Sequence, residues 1–168
     1  QAQQRHNEAG VLVRRQRQLA AAMHGDLVAE LDEFGPEDRV GIISLMDHTP
    51  GQRQWRDTSS YRTYYSNIAS WTDEEFEQVV ERLQTARDGC AEDNAASVMA
   101  FCRERGLPMA SHDDTLVEHV EEALGNGIAI SEFPTTMEAA RHASENGMLV
   151  LMGAPNVVRG GSHSGNIS

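Results

Sequence analysis

Ser44-Leu-Met-Asp-His-Thr-Pro-Gly-Gln-Arg-Gln54 is the stretch that decides the fold. The chain enters it along an apolar run, Val40-Gly-Ile-Ile-Ser-Leu-Met46, which halts at Asp47-His48 and turns at Pro50-Gly51. A continuous apolar run of this kind, bounded by turn residues, predicts a strand over 40–46 that is buried on both faces. Polar residues just past the C-terminal end of such a strand are where α/β folds place their chemistry. The arrangement recurs downstream. Pro108-Met-Ala-Ser-His-Asp-Asp114 is a second strand end, followed by a helix over 115–124 that Gly125 closes. Gly127-Ile-Ala-Ile-Ser-Glu-Phe133 is a third, followed by a helix over 136–146 with Thr135 and Glu138 set as a capping box. Met148-Leu-Val-Leu-Met152 is a fourth, running into the glycine-rich segment Gly153-Ala-Pro-Asn-Val-Val-Arg-Gly-Gly-Ser-His-Ser-Gly-Asn166.

Short apolar strands alternating with helices predict an α/β fold with a parallel sheet and right-handed crossovers. Four such units make a small open sheet or about half of a (β/α)8 barrel. A complete barrel takes about 250 residues, and this sequence has 168. Residues 1–38 have helical character, with Gly25 dividing them and Gly35-Pro36 stopping them. Between the first two strands a long polar loop carries Trp55, Tyr61, Tyr64 and Tyr65. Thr72 and Glu75 then form a capping box that opens a helix running towards Gly106, interrupted near Gly89 and restarting around Asp93-Asn94. The organisation expected is one partial barrel domain over 1–168, with a helical lead-in (1–39) and four strand–helix units (40–168).

Charged residues at 24% and hydrophobic residues at 39% are ordinary for a globular protein. A formal net charge of −12 argues against a nucleic-acid partner, which requires a basic face. It leaves room for an anionic small molecule, because a local arginine cluster can oppose the global sign. No run approaches the roughly 18 apolar residues that would span a bilayer, and no signal peptide opens the chain. Cys90 and Cys102 lie in helical sequence without zinc-finger spacing, as expected of reduced thiols in the cytoplasm.

His48 and His112 end consecutive strands, so a parallel sheet brings both imidazoles to one rim. Neutral imidazole on a rigid strand end is a common ligand for divalent ions, and Asp47, Asp113 and Asp114 are at hand as ligands or as acceptors behind them. Two histidines that merely hydrogen-bond at the rim satisfy the same spacing. In the terminal segment Arg159, Ser162, His163, Ser164 and Asn166 are donors among glycines that let backbone approach a ligand, which suits phosphate oxygens. A flexible tail has the same composition. Arg53, with Gln52 and Gln54, supplies a second candidate anion clamp. His6, His24, His119 and His142 have surface or packing roles, and Glu132 is either an acceptor at a strand end or structural.

Residues 44–54, Ala-Ser-His-Asp-Asp (110–114), Glu-Phe-Pro-Thr-Thr (132–136) and Met-Gly-Ala-Pro-Asn-Val-Val-Arg-Gly-Gly-Ser-His-Ser-Gly-Asn (152–166) resemble the α-D-ribose 1-methylphosphonate 5-triphosphate diphosphatases. These are amidohydrolase-superfamily enzymes of the carbon–phosphorus lyase pathway. The resemblance covers residues 40–168. It implies a metal-dependent (β/α)8 barrel that hydrolyses a phosphoanhydride, releasing pyrophosphate and ribose 1-methylphosphonate 5-phosphate. It implies His48 and His112 as ligands of one or two divalent ions, zinc or manganese. Gln52, Arg53, Asn156, Arg159, Ser162 and His163 would face the phosphorylated substrate. The family's His-x-Asp pair and its Glu ligand after an Arg-Cys pair have no match before residue 40. Its Ser-Ser-Asp-Tyr sequence, with the expected base, would fall beyond Ser168. The expectation is therefore a partial barrel of a hydrolase, nearly inert as an isolated chain. The alternative is a catalytically incomplete remnant that binds phosphorylated ligands or assembles, as a homo-oligomer or with another chain, through exposed sheet edges.

Overall fold

The computed structural model describes residues 40–66, 70–153 and 158. The helical lead-in expected over 1–39 lies outside these residues, as do Asn156, Arg159, Ser162 and His163. Four short strands pair in parallel in the order β1 (Ile43–Leu45), β2 (Met109–His112), β3 (Ile130–Glu132) and β4 (Leu149–Leu151). Helices α2 (Asp73–Asp88) and α3 (Ala91–Arg105) connect β1 to β2, preceded by α1 (Thr58–Tyr65). Helix α4 (Val117–Gly125) connects β2 to β3, and α5 (Met137–Glu145) connects β3 to β4. This is the expected α/β architecture, consistent with part of a (β/α)8 barrel.

Successive side chains of a strand point to opposite faces, and the register sorts them here. Ser44 is opposite Ala110, Ala110 opposite Ile130, and Ile130 opposite Leu149. One step further on the same face, His112 is opposite Glu132 and Glu132 opposite Leu151. The other face packs on helices. Ile43 meets Val98 and Cys102 of α3, with Leu45, Phe101, Leu107 and Met109 around them. Val120, Ala123, Ala139 and Ala143 join α4 to α5 and, with Ile128 and Met148, pack against Leu45, Met109 and Val150. Alanines at 123, 139 and 143 let the two helices approach closely. Burying Val98 and Val120 completely contributes about 1.5–3 kcal/mol each. Burial also pushes the Cys102 thiol up to about 11.

The strands are therefore not buried on both faces throughout. Leu149 and Leu151 on the face opposite the helices are 68% and 43% exposed. Each strand is also shorter than its apolar run, because the flanking residues turn into loops that carry the rim.

The segment expected as a loop after His48 holds a turn and a short helix, ordered by aromatic packing. One 3₁₀ turn (Arg53–Trp55) leads to α1, whose start is capped by the Asp57 carboxylate accepting from the Ser59 amide at 2.9 Å. Trp55, Tyr61 and Phe76 are buried together, with Tyr65, Trp71, Val80 and Leu83 against them. The Thr72–Glu75 capping box forms as expected, its two bonds being 2.8 and 3.2 Å. The helix break falls at Gly89, and α3 resumes at Ala91 rather than Asp93. At α5 the cap is Thr136, accepting from the Ala139 amide at 3.2 Å, one residue after the Thr135 expected. Thr135 is diverted because its hydroxyl donates to Thr115 Oγ1 at 2.8 Å.

Candidate metal centre

The first rim histidine is placed by the turn after β1. Asp47 accepts the Thr49 amide through Oδ1 at 3.1 Å, closing an Asx turn. Arg87 of α2 holds its other oxygen at 2.6 Å. Burial lowers the pKa of Arg87, but the hydrogen bond and charge of Asp47 outweigh it and the net shift is upward. Gln84 Nε2 donates to the Pro50 carbonyl at 3.0 Å, fixing the next step of the turn. Gly51 follows at φ 94°, where a Cβ would meet Gln84 Nε2 at 3.0 Å.

The second histidine is the last residue of β2. His112 Nδ1 lies 2.9 Å from Glu132 Oε2, and Ser44 donates its hydroxyl to the same oxygen at 2.6 Å. Three neighbouring strands thus contribute to one network on the face opposite the helices. Burial raises the Glu132 pKa, but the hydrogen bonds from His112 and Ser44 and the charge of His112 hold it below the ordinary carboxylate value. Phe133 meets the His112 ring edge-on, with centroids 5.5 Å apart.

Asp113 completes the cluster. Its backbone is in the left-handed region at φ 53°, uncommon for a residue with a side chain. Asp113 Oδ2 lies 3.4 Å from His48 Nε2 and 3.5 Å from His112 Nε2. The rings of His48 and His112 are 5.2 Å apart at 52°. One ligand atom from each of the three residues falls within 4.8 Å of the others. Atoms bound to one zinc ion at about 2.0–2.2 Å in tetrahedral geometry lie roughly 3.3–3.6 Å from one another. Among the described residues His48 Nε2 is buried without a hydrogen bond, with Asp113 Oδ2 as its polar neighbour, as suits an atom that would ligate a metal. The donor set of two imidazoles and a carboxylate fits a divalent ion of the zinc or manganese type.

Next to it is a second carboxylate of different character. Asp114 is fully buried and accepts from the hydroxyls of Ser111 and Ser131, the latter at 2.8 Å. Its other oxygen accepts from Arg53 Nη1 at 2.8 Å. Arg53 Nη2 reaches Glu122 at 3.1 Å, so both ends of its fork are occupied by carboxylates. His119 lies beside this group and accepts the Thr115 amide at Nδ1, 3.1 Å away. Burial, then the charge of Arg53, lowers the His119 pKa, with Arg56 adding to them and Asp114 and Glu122 opposing. His142 is instead a surface partner of Glu121.

His48 and His112 are thus brought together, and Arg53 is on the same rim beside Gln52, whose amide donates to the Thr49 carbonyl at 3.0 Å. Ser44 and Arg87 were not singled out by the sequence. A serine in each of three apolar strands, at 44, 111 and 131, was the available signal that buried acceptors would be near.

Comparison with known proteins adds one relative. The chain is 48% identical over 145 residues to the alpha-D-ribose 1-methylphosphonate 5-triphosphate diphosphatase of Escherichia coli (strain K12). The match covers 86% of this chain and 38% of that enzyme, so the chain is a partial counterpart of it. No protein-family model matches, and no solved structure does. The resemblance carried by the motifs is therefore borne out as similarity along most of this chain.

Proposed function

We propose that the chain supplies metal-holding strand ends to a hydrolase that cleaves the phosphoanhydride of α-D-ribose 1-methylphosphonate 5-triphosphate and releases pyrophosphate, in phosphonate degradation. The observation that carries this reading is the convergence of His48 Nε2, His112 Nε2 and Asp113 Oδ2 on one rim. Similarity to part of a diphosphatase supports the substrate class. These three residues would hold a divalent ion, zinc or manganese, alone or as one of a pair in an amidohydrolase-type centre. When bound, such an ion lowers the pKa of attacking water and offsets charge on the phosphoryl group.

Residues of the chain have their own tasks. Glu132 and Ser44 orient His112, and Phe133 covers one edge of its ring. Gln52 and Arg53, with Asn156, Arg159, Ser162 and His163, are proposed to face the phosphates. Arg53 is held at Nη1 by buried Asp114, while Glu122 at Nη2 is mostly exposed and can exchange for a phosphate oxygen. The partner is a phosphorylated small molecule rather than nucleic acid or membrane. No described helix is long and apolar enough to cross a membrane. A cytoplasmic setting, with Cys90 and Cys102 as reduced thiols, is proposed with this function.

The exposed apolar side chains of β4 favour a second reading, in which the chain pairs with another copy or another chain without turnover. Zinc and manganese titration of the 168-residue chain, with pyrophosphate release and solution mass measured in parallel, separates the two. Stoichiometric metal binding with little turnover is the expected outcome. Absence of metal binding would overturn the metal reading, and a defined oligomer without metal would favour the second.

A further inference from the structure

We propose that Glu132 is a positioning residue that fixes the tautomer of His112, so that the ring presents an unprotonated Nε2 to the metal cluster. This deepens the metal reading and rests on it. An ionised carboxylate only accepts hydrogen bonds. Glu132 Oε2 lies 2.9 Å from His112 Nδ1, so in the neutral ring the proton belongs on Nδ1. The lone pair is then on Nε2, the atom 3.5 Å from Asp113 Oδ2. The opposite tautomer would set a lone pair against the carboxylate and a proton where a metal ion must bind.

Glu132 is itself held in place. Ser44 donates to the same Oε2 at 2.6 Å, reaching from β1 across β2. Ala110 is between their strands on the same face, opposite Ser44 in register, and has no side chain long enough to obstruct the bond. The network therefore uses one residue from each of three strands, with small Ala110 as the spacer. Glu132 is one strand away from the metal-facing atoms, and its carboxylate is shared between His112 and Ser44. Its effect on the cluster therefore passes through the His112 ring.

Long-range ¹H–¹⁵N spectra of the metal-free, histidine-labelled chain at pH 8.5 read the tautomer directly, with His112→Asn supplying the assignment. Zinc affinity by competition with a chelating dye reads the consequence. The wild-type chain is expected to show His112 protonated on Nδ1. Glu132→Leu should lose that tautomer and bind zinc about 10–100-fold more weakly, the usual cost of losing a carboxylate behind a ligating histidine. Glu132→Gln, which keeps an acceptor oxygen, should retain the tautomer and lose less affinity. Should Glu132→Leu fail to fold, the double variant Ser44→Ala/Glu132→Gln decides by the same two readings, since without the Ser44 donor the amide is free to flip and the tautomer should be mixed.

A wild-type ring protonated on Nε2 would overturn the inference. So would a folded Glu132→Leu chain with unchanged tautomer and zinc affinity. A wild-type ring protonated on Nδ1 in a chain that binds no zinc would sink the metal reading itself, and with it the purpose assigned to Glu132.

Discussion

Asp113 and Phe133 each follow the last residue of a strand by one position, and both are in the left-handed region, at φ 53° and 54°. Each uses its amide in the same way, Asp113 donating to the Glu132 carbonyl at 3.0 Å and Phe133 to the Leu151 carbonyl at 2.9 Å. The side chains then diverge. Asp113 points a carboxylate oxygen at two imidazoles, whereas Phe133 offers a ring edge-on to one of them. The repeated strand–helix unit supplies the turn, and the residue placed on it decides whether that strand end offers a carboxylate oxygen or an aromatic ring to the histidines. A left-handed residue with a side chain costs of order 1–3 kcal/mol, tolerated at both of these turns and again at Arg53, at φ 45°, on the same rim.

Replacing buried Asp114, the residue after the binding turn, should give the largest effect. Asp114→Ala removes the buried acceptor of Arg53 Nη1 and of the Ser111 and Ser131 hydroxyls. A loss of about 3–5 kcal/mol is expected, as for a broken buried ion pair, measured by urea unfolding. An unchanged midpoint would show that Asp114 contributes little to the rim.

The comparison itself is sharpened by Asp113→Asn. Asparagine tolerates the left-handed region, so the turn should survive while the charge is lost. Zinc affinity should fall by more than about 100-fold, beyond the 10–100-fold typical of residues behind the ligands, with an unchanged circular dichroism spectrum. Phe133→Leu, on the matching turn, should change zinc affinity by less than about threefold, since the residue holds no ligand atom. A larger loss would mean that covering the His112 ring matters as much as ligation.

A smaller effect is expected at His119. Its folded-state pKa lies below the unfolded value, so the unfolded chain takes up the proton first as pH falls. Stability from this group should be full above the ordinary histidine value of 6.5 and decline as pH drops from there towards the lowered folded value. His119→Gln should flatten the pH dependence of the melting temperature just below 6.5, with little change at pH 8. A slope identical to wild type would assign that dependence to other groups.

Much of the architecture was legible because the information was local. Apolar runs ending in polar residues marked all four strands, and Thr72 and Glu75 marked their helix start without help from tertiary structure. The pairing of His48 with His112 followed from strand-end position alone. Residues 53–65 were legible only as a loop, because the helix there depends on Trp55 and Tyr61 packing against Phe76, far along the chain. The cap at Thr136 was displaced for a similar reason, a hydrogen bond between Thr135 and Thr115 in the preceding loop. Asp113 could be suspected, but its role depends on a backbone turn that the residue type does not announce. Ser44 became meaningful only once register placed it across Ala110 from the Glu132 strand. Periodicity carries the first kind of information and pairing carries the second.

Cys102, packed under β1 with its thiol pushed up to about 11, also gives the molecule a clock. A thiol raised in this way is almost wholly protonated at pH 7, and the thiolate is the species that alkylating reagents attack. Cys90, partly exposed at the junction of α2 and α3, should react on the reagent's timescale. Cys102, buried between α3 and β1, should react only when α3 lifts from β1. The delay between the two modifications therefore times the opening of that edge of the sheet, in a chain to which no label has been added.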